Sequence, residues 1–197
     1  LLVATIVFAM HSLKILDVTL RDGGYVNDFR FGSAVLDSIL SDLIASRVDA
    51  IELGFLRDCE YFEGRTWFNT VAESESLLNR QNLANHVNNF FLMIRPDWYD
   101  ISKLEPCRGL VKNLRFAFHV RHFHLLKEQV KRAKDYGYNI YINPVNITSY
   151  SQPELQSLLE MISSLEPYGV AIVDTFGSLM MSDLRQISHS FDSILDP

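Results

Sequence analysis

The sequence predicts an α/β protein in which helices cover a parallel β-sheet. Its 197 residues alternate between short apolar segments and longer segments whose apolar residues recur at helical spacing. The apolar segments do not alternate with polar residues, so both faces of each predicted strand are expected to be buried. These units recur about every 25–40 residues, as expected for repeated βα units.

The first half of the chain is predicted to hold three strands and two helices. The first strand is the apolar run that begins at Leu13 and stops at Arg21 and Asp22. A helix over 33–45, a strand over 49–55, a helix over about 70–83 and a strand over 90–94 follow. An aromatic-rich loop over 61–68 separates the second strand from the second helix.

The second half is predicted to hold three more strands, each followed by a helix. The strands cover 114–118, 138–142 and 169–174, and the helices cover about 123–136, the residues after Ser151, and about 179 to the end of the sequence. Gly137 is the stop signal of the first of these helices. Ser151 and Glu154 have capping-box spacing with a proline in the first turn, which predicts where the second helix begins.

Two observations favour a (β/α) barrel over a doubly wound sheet. No Gly-x-Gly-x-x-Gly turn follows the first strand. Polar residues also stand at the carboxyl end of nearly every predicted strand, where barrel enzymes build their sites. They are Arg21, Asp22, Glu52, Arg95, His119, Asn143, Asp174 and Thr175. A complete TIM barrel has eight units and about 250 residues, whereas roughly six units are predicted here, so the predicted barrel is incomplete.

The composition limits the partners and the compartment. The net charge is −6 and no basic tract stands out, so neither nucleic acid nor a membrane is an expected partner. The two cysteines, Cys59 and Cys107, lack the spacing of a metal site or a disulfide framework, which predicts a reducing, cytoplasmic location.

The first nine residues are nearly all apolar but too few to span a bilayer, which needs about 20. They also lack the basic start of a signal peptide. We interpret residues 1–9 as upstream or expression-vector sequence, with an extra element closing the barrel floor as the alternative. Residues 10–197 are then predicted to form a partial, aldolase-type TIM-barrel catalytic domain.

The most informative segment runs from Asp17 to Tyr25. A buried strand that ends in Arg21 and Asp22 delivers a cation and a carboxylate together into a loop, and Gly23 and Gly24 follow. Glycines permit positive φ and a close approach of backbone to a ligand. An ion pair at the end of a core strand is costly to desolvate without partners, and a hard metal and a substrate anion would supply them. The alternative is an ion pair that only caps the strand.

The segment Asp-Val-Thr-Leu-Arg-Asp-Gly-Gly-Tyr-Val-Asn at 17–27 resembles the signature of the DRE-TIM metallolyase superfamily, whose members include HMG-CoA lyase. It is closest to the 4-hydroxy-2-oxovalerate aldolase-like branch. Weaker matches follow in the right order along the later strands. They are Ile51 to Gly54, Phe118-His119, Asn143-Pro144 and Val173 to Gly177.

The resemblance implies a role for each candidate residue. Asp22 would bind Mg²⁺ or Mn²⁺, with the remaining ligands on a strand that this sequence does not contain. Arg21 would stabilise an enolate oxygen, Glu52 would support the site, and Tyr25 stands where the aldolases carry a catalytic histidine. The residues expected to contact substrate are Gly23, Gly24, His119, Asn143 and Thr175. A buried ion pair is the alternative for Glu52, a core histidine for His119 and a helix cap for Thr175.

The resemblance also implies an activity, that of a carbon–carbon lyase. The enzyme would be a metal-dependent aldolase that cleaves or forms a bond of a 4-hydroxy-2-keto acid through a pyruvate enolate. The alternatives are an acyl-CoA-dependent Claisen condensing enzyme of the isopropylmalate or homocitrate synthase type, and a catalytically inactive barrel fragment. A small keto acid is the expected substrate, a homo-oligomer the expected assembly, and an aldehyde dehydrogenase a partner that the resemblance alone suggests.

Overall fold

The computed structural model describes residues 14–80 and 89–195. The predicted extra element or upstream sequence at 1–9 lies outside these residues and stays a prediction. In chain order the elements are β1 (Leu16–Asp17), α1 (Thr19–Asp22), α2 (Gly24–Asn27), α3 (Ser33–Ala45), β2 (Ala50–Leu56), β3 (Trp67–Phe68), α4 (Val71–Arg80), β4 (Asn89–Ile94), β5 (Val111–Phe118), α5 (Phe123–Asp135), β6 (Asn139–Pro144), α6 (Gln152–Leu165), β7 (Gly169–Val170) and α7 (Met181–Leu195).

The strands form one parallel sheet in the order β1-β2-β4-β5-β6-β7, with β3 pairing with β2. Apart from β3, each strand therefore lies beside the strand that precedes it in the chain. A doubly wound sheet would reverse its order at a switch point, whereas a (β/α) barrel keeps the order of the sequence. The architecture is an α/β half-barrel, as the sequence predicts in outline.

The two faces of the sheet have different neighbours. On β4, Phe90, Leu92 and Ile94 join the main hydrophobic core with apolar residues of α3 to α7. Met93, which points the other way, belongs to a smaller cluster with Phe29, Phe55 and Ala117. Because side chains alternate along a strand, the helices cover one face and leave the other face to line the inside of the half-barrel.

A bulge in β2 brings β3 into the sheet. The register of β2 against β4 shifts between Glu52 and Phe55, and Gly54 adopts a φ of +152°. A Cβ atom on Gly54 would overlap the carbonyl oxygen of Thr66. That oxygen accepts a hydrogen bond from the Phe55 amide at 3.0 Å, which fixes the loop before β3 against the end of β2. Glycine is therefore required at this close approach.

The first strand is shorter than predicted. β1 ends at Asp17, whose carboxylate accepts hydrogen bonds from the Thr19 amide at 2.9 Å and the Thr19 hydroxyl at 3.1 Å. The Val18 carbonyl then accepts bonds from the amides of Arg21 and Asp22. Arg21 and Asp22 consequently lie on the helical turn α1, not on an extended strand. The side-chain bonds of Asp17 explain the early end, since they offer the backbone a turn in place of the sheet.

Neither Gly23 nor Gly24 adopts the positive φ that glycine permits. Gly23 has a φ of −61° and continues the helical path, and Gly24 begins α2. Glycine is required for packing instead, because a Cβ atom on Gly24 would overlap the ring of Phe29. The absence of a side chain at Gly24 therefore leaves room for the Phe29 ring and stabilises the turn.

The helices agree closely with the prediction. α3 covers the predicted range, and α6 begins at a complete capping box in which Ser151 and Glu154 exchange hydrogen bonds. Gly137 follows α5 with a φ of +87°. α4 ends the described segment at Arg80, so the predicted extension to 83 lies outside the described residues. Within 14–80 and 89–195, no helix has both the length and the apolar character that crossing a bilayer requires.

The last predicted strand is also shorter than expected. β7 covers only Gly169 and Val170, although the Ala171 amide still donates to the Ile142 carbonyl at 2.8 Å. The chain then leaves the sheet, and the Asp174 carboxylate accepts hydrogen bonds from the amides of Ser178 and Leu179. These bonds stabilise the loop that leads to α7.

Candidate active site at the carboxyl ends of the strands

A cavity of about 690 Å³ opens where the parallel strands end. Its wall contains six of the nine site residues that the sequence predicts, together with polar and apolar neighbours. Those that line it are Arg21, Asp22, Tyr25, His119, Asn143 and Thr175, with Asp174 beside Thr175. Glu52 lies beneath the wall, fully buried. Gly23 and Gly24 do not line this cavity.

The floor of the cavity is formed by two guanidinium groups that hold a buried carboxylate between them. Glu52 Oε1 accepts a hydrogen bond from Arg21 Nε at 2.6 Å, and Oε2 accepts one from Arg115 Nη1 at 2.7 Å. The Glu52 side chain is 0% exposed, and the two arginine side chains are 15% and 14% exposed. Charge-assisted bonds on both oxygens offset the cost of burying the carboxylate. The group of three carries one positive charge in excess.

Arg115 is the site residue that the sequence prediction missed. It lies in the middle of β5, and its Nη2 also donates to Asn143 Oδ1 at 2.7 Å. Asn143, at the end of β6, is 4% exposed and is held in place by this bond. The available signal was a cation inside the predicted strand 114–118, whose other residues are apolar, because such a charge requires a buried partner.

Asp22 lies at the rim of the cavity. Its Oδ1 accepts a hydrogen bond from Arg21 Nη1 at 2.7 Å, and its side chain is 63% exposed. The described residues contain no group of three or more histidine, cysteine, aspartate or glutamate side chains arranged to hold a metal ion. A hard divalent cation takes about six oxygen ligands, so Asp22 alone does not fit a resident metal.

Tyr25 and Thr175 line the cavity in different ways. The Tyr25 side chain is exposed, and its ring packs edge-on against Phe29 and Phe55. Thr175 Oγ1 accepts a hydrogen bond from the Asn146 amide at 2.7 Å. This bond ties the loop after β7 to the loop after β6 and leaves Thr175 at the edge of the cavity.

His119 follows β5 and lines the cavity beside Arg95. Burial, together with the positive charges of Arg95 and Arg121, lowers the pKa of His119 below its usual value. Arg95 is itself occupied by Asp97 through a forked pair of hydrogen bonds at 2.8 and 3.2 Å. Burial opposes ionisation of Asp97, but the bonds and charge of Arg95 outweigh it and hold the pKa of this carboxyl below its usual value.

A stack of arginine and tryptophan side chains packs against Phe55 and Arg95 of the cavity wall. The Arg57 guanidinium lies 4.1 Å from the ring centroid of Trp67 and 4.5 Å from that of Trp98. Trp67 also stacks on Phe29, and Arg95 lies 4.0 Å from the Trp98 ring. Cation–π contacts of this kind are worth about 0.5–2 kcal/mol each. The aromatic-rich loop therefore packs against the strand ends through this stack.

Comparison with known proteins supports the fold. No protein-family model matches the chain. The chain is similar to a crystal structure described as the N-terminal domain of a "putative aldolase" from Bacteroides vulgatus. The match has 22% sequence identity and a TM-score of 0.75, and it covers 92% of this chain. It spans only 60% of the length of the other chain. At this identity the likeness is one of fold, that of an aldolase-like α/β half-barrel.

Proposed function

We propose that this chain carries part of the active site of a carbon–carbon lyase of the DRE-TIM metallolyase type. The reaction would be cleavage of a 4-hydroxy-2-keto acid to pyruvate and an aldehyde, or its reverse. The observation that carries the proposal is the Arg21–Glu52–Arg115 group, which places two firmly held guanidinium groups on the wall of the cavity, with Asp22 as the counter-charge at the rim. Cleavage of the C3–C4 bond leaves a negative oxygen on C2, and a fixed cation lowers the energy of that oxygen.

Arg21 is suited to this task by its bonding. Its hydrogen bonds to other described residues use Nε and Nη1, so Nη2 remains to meet an anionic oxygen. The bond to buried Glu52 holds the guanidinium still, which avoids reorganisation when charge develops. Arg115 and Asn143 would hold the other end of the same floor and orient the keto acid.

A divalent cation remains part of the proposal only with further ligands. Mg²⁺ or Mn²⁺ would polarise the keto and carboxylate oxygens of the substrate. Asp22 is its one proposed ligand among the described residues, so substrate oxygens, water and residues outside the described ranges would supply the rest. The roles proposed for this chain in the reaction are therefore those of its own side chains and not of the cation.

The products distinguish this proposal from its alternatives. The purified chain would be incubated with Mg²⁺ or Mn²⁺ and a series of 4-hydroxy-2-keto acids, and pyruvate would be measured by NADH oxidation with lactate dehydrogenase. We expect pyruvate release and no release of CoA thiol from acetyl-CoA with a keto acid. Thiol release without pyruvate would instead support the Claisen enzyme. The absence of both products would contradict the proposal and favour the inactive fragment.

The cysteines bear on the compartment, and the resemblance bears on the assembly. Both Cys59 and Cys107 are free thiols, which is consistent with a cytoplasmic location. A homo-oligomer and an aldehyde dehydrogenase partner are proposals that come from the resemblance alone. Co-purification from the native host would test both.

A further inference from the structure

We propose that His119 is the proton-transferring base of this site. This inference rests on the proposed lyase function and assigns its acid–base step to a residue outside the Asp17–Tyr25 segment. The resemblance leaves that step open, because Tyr25 stands where the aldolases carry a histidine.

The first argument is position. Arg115, Ala117 and His119 all line the cavity, so His119 continues the inward-facing alternation of β5 beyond the end of the strand. Its backbone is fixed because the His119 carbonyl accepts a hydrogen bond from the His122 amide at 2.8 Å, at the start of the turn Val120–His122. The backbone of His119 is thereby held at the wall that also carries Arg115.

The second argument is the occupation of the other ionisable groups around the cavity. Asp22 is paired with Arg21, and both oxygens of Asp174 accept backbone hydrogen bonds. Tyr25 carries a phenol, which at neutral pH donates a proton more readily than it accepts one. The imidazole nitrogens of His119 make no hydrogen bond to another described residue, so a lone pair is available to substrate.

The third argument is the protonation state. The groups that act on His119 are Arg95, Asp97, Arg121 and His122, and burial and the cations prevail in lowering its pKa. Asp97, the one anion among them, is held by Arg95. A neutral imidazole at neutral pH can accept a proton, whereas an imidazolium cannot.

The step balances without a further reactant. His119 takes the proton of the C4 hydroxyl, the C4–O bond becomes a carbonyl, and the C3–C4 bond breaks. Its electron pair forms the C2–C3 double bond and places a negative charge on the C2 oxygen, next to Arg21. The aldehyde leaves, and His119 returns its proton to C3, which gives pyruvate. In the reverse direction His119 removes a proton from the methyl group of pyruvate.

Exchange of the pyruvate methyl protons for deuterium tests this step directly. The chain, with Mg²⁺ present, would be incubated with pyruvate in D₂O and followed by ¹H NMR. We expect exchange by the native chain and a loss of about a hundredfold or more in His119→Gln, the usual contribution of a positioned base. His124→Gln is the matched control, because His124 is exposed on α5 and does not line the cavity.

Two further measurements separate a base from a structural residue. Added imidazole should restore exchange in His119→Ala but not in Arg21→Ala, and circular dichroism would show that both variants are folded. In the native chain, the exchange rate should decrease only when the pH is lowered below the ordinary imidazole pKa of about 6.5.

Undiminished exchange in His119→Gln, or loss of exchange in Tyr25→Phe alone, would overturn the role of His119 and leave the lyase proposal standing. No exchange by the native chain would instead overturn the lyase proposal itself.

Discussion

Glu52 is the residue on which the site depends. Its carboxylate is fully buried and bonded on both oxygens, by Arg21 and by Arg115. Removing one cation leaves a buried carboxylate with a single partner. Breaking such a buried ion pair lowers the free energy of unfolding by far more than an exposed ion pair contributes to it.

We expect Arg115→Leu to lower the free energy of unfolding by about 3 kcal/mol, the scale of a broken buried ion pair. Urea denaturation followed by circular dichroism measures this change. Arg108→Leu, at an exposed position, is the control and should change stability by no more than about 0.5 kcal/mol. Equal stability of the two variants would show that Arg115 does not hold the buried carboxylate.

We expect Gly24→Ala to destabilise the protein by about 1–3 kcal/mol, the usual cost of overpacking. The added methyl group would collide with the Phe29 ring. Val26→Ala, whose side chain is 91% exposed in the same short helix, should be nearly neutral. Thermal unfolding of both variants measures the difference, and a neutral Gly24→Ala would contradict the packing assigned to Phe29.

At the residue scale, the sequence predicts which residues lie near the site better than it predicts which residues they bond to. The polar residues at strand ends did come together around one cavity, because parallel strands bring their carboxyl ends to the same edge. The bond between Arg115 and Glu52 joins residues 63 positions apart, and nothing local in the sequence marks it. The packing role of Gly24 could not be predicted either, because it depends on the ring of Phe29, which lies five residues further along the chain.

At the scale of single elements, helices were predicted better than strands. The apolar spacing of α3 and the capping box of α6 are local signals, and local signals determine where a helix begins. The ends of β1 and β7 depend instead on pairing with distant strands. At β1 the carboxylate of Asp17 also diverts the backbone into a turn, so the strand stops before the apolar run does.

The capping box of α6 offers a test at this scale. We expect Ser151→Ala to lower the free energy of unfolding by about 1 kcal/mol, because Ser151 bonds reciprocally with Glu154 at the start of the helix. Ser163→Ala, at an exposed position near the end of the same helix, is the control and should be close to neutral. Equal effects in urea denaturation would argue against the cap.

At the scale of the whole molecule, the order of the strands distinguishes the barrel type from the doubly wound type. Composition and periodicity could not decide this, since both folds alternate strands and helices. The polar strand ends and the missing glycine-rich turn did predict it, and the sequential sheet agrees. The half-barrel leaves the inner face of the sheet, with Glu52, Arg115 and Asn143, to form the site.

The half-barrel also sets an expectation for metal binding. We expect calorimetric titration with Mn²⁺ to show no saturable micromolar binding, because Asp22 is a single carboxylate already paired with Arg21. Asp22→Asn is the matched variant and should give the same trace. Micromolar binding that Asp22→Asn abolishes would contradict the ligand set described here.

The most direct test of the central claim is the turnover of Arg21→Ala in the pyruvate-release assay. Loss of one contact to a developing oxyanion typically costs about a hundredfold in rate. We expect at least that loss in Arg21→Ala, with the fold intact by circular dichroism and no comparable loss in Arg108→Ala. Turnover equal to that of the native chain would contradict the claim that Arg21 stabilises the enolate oxygen.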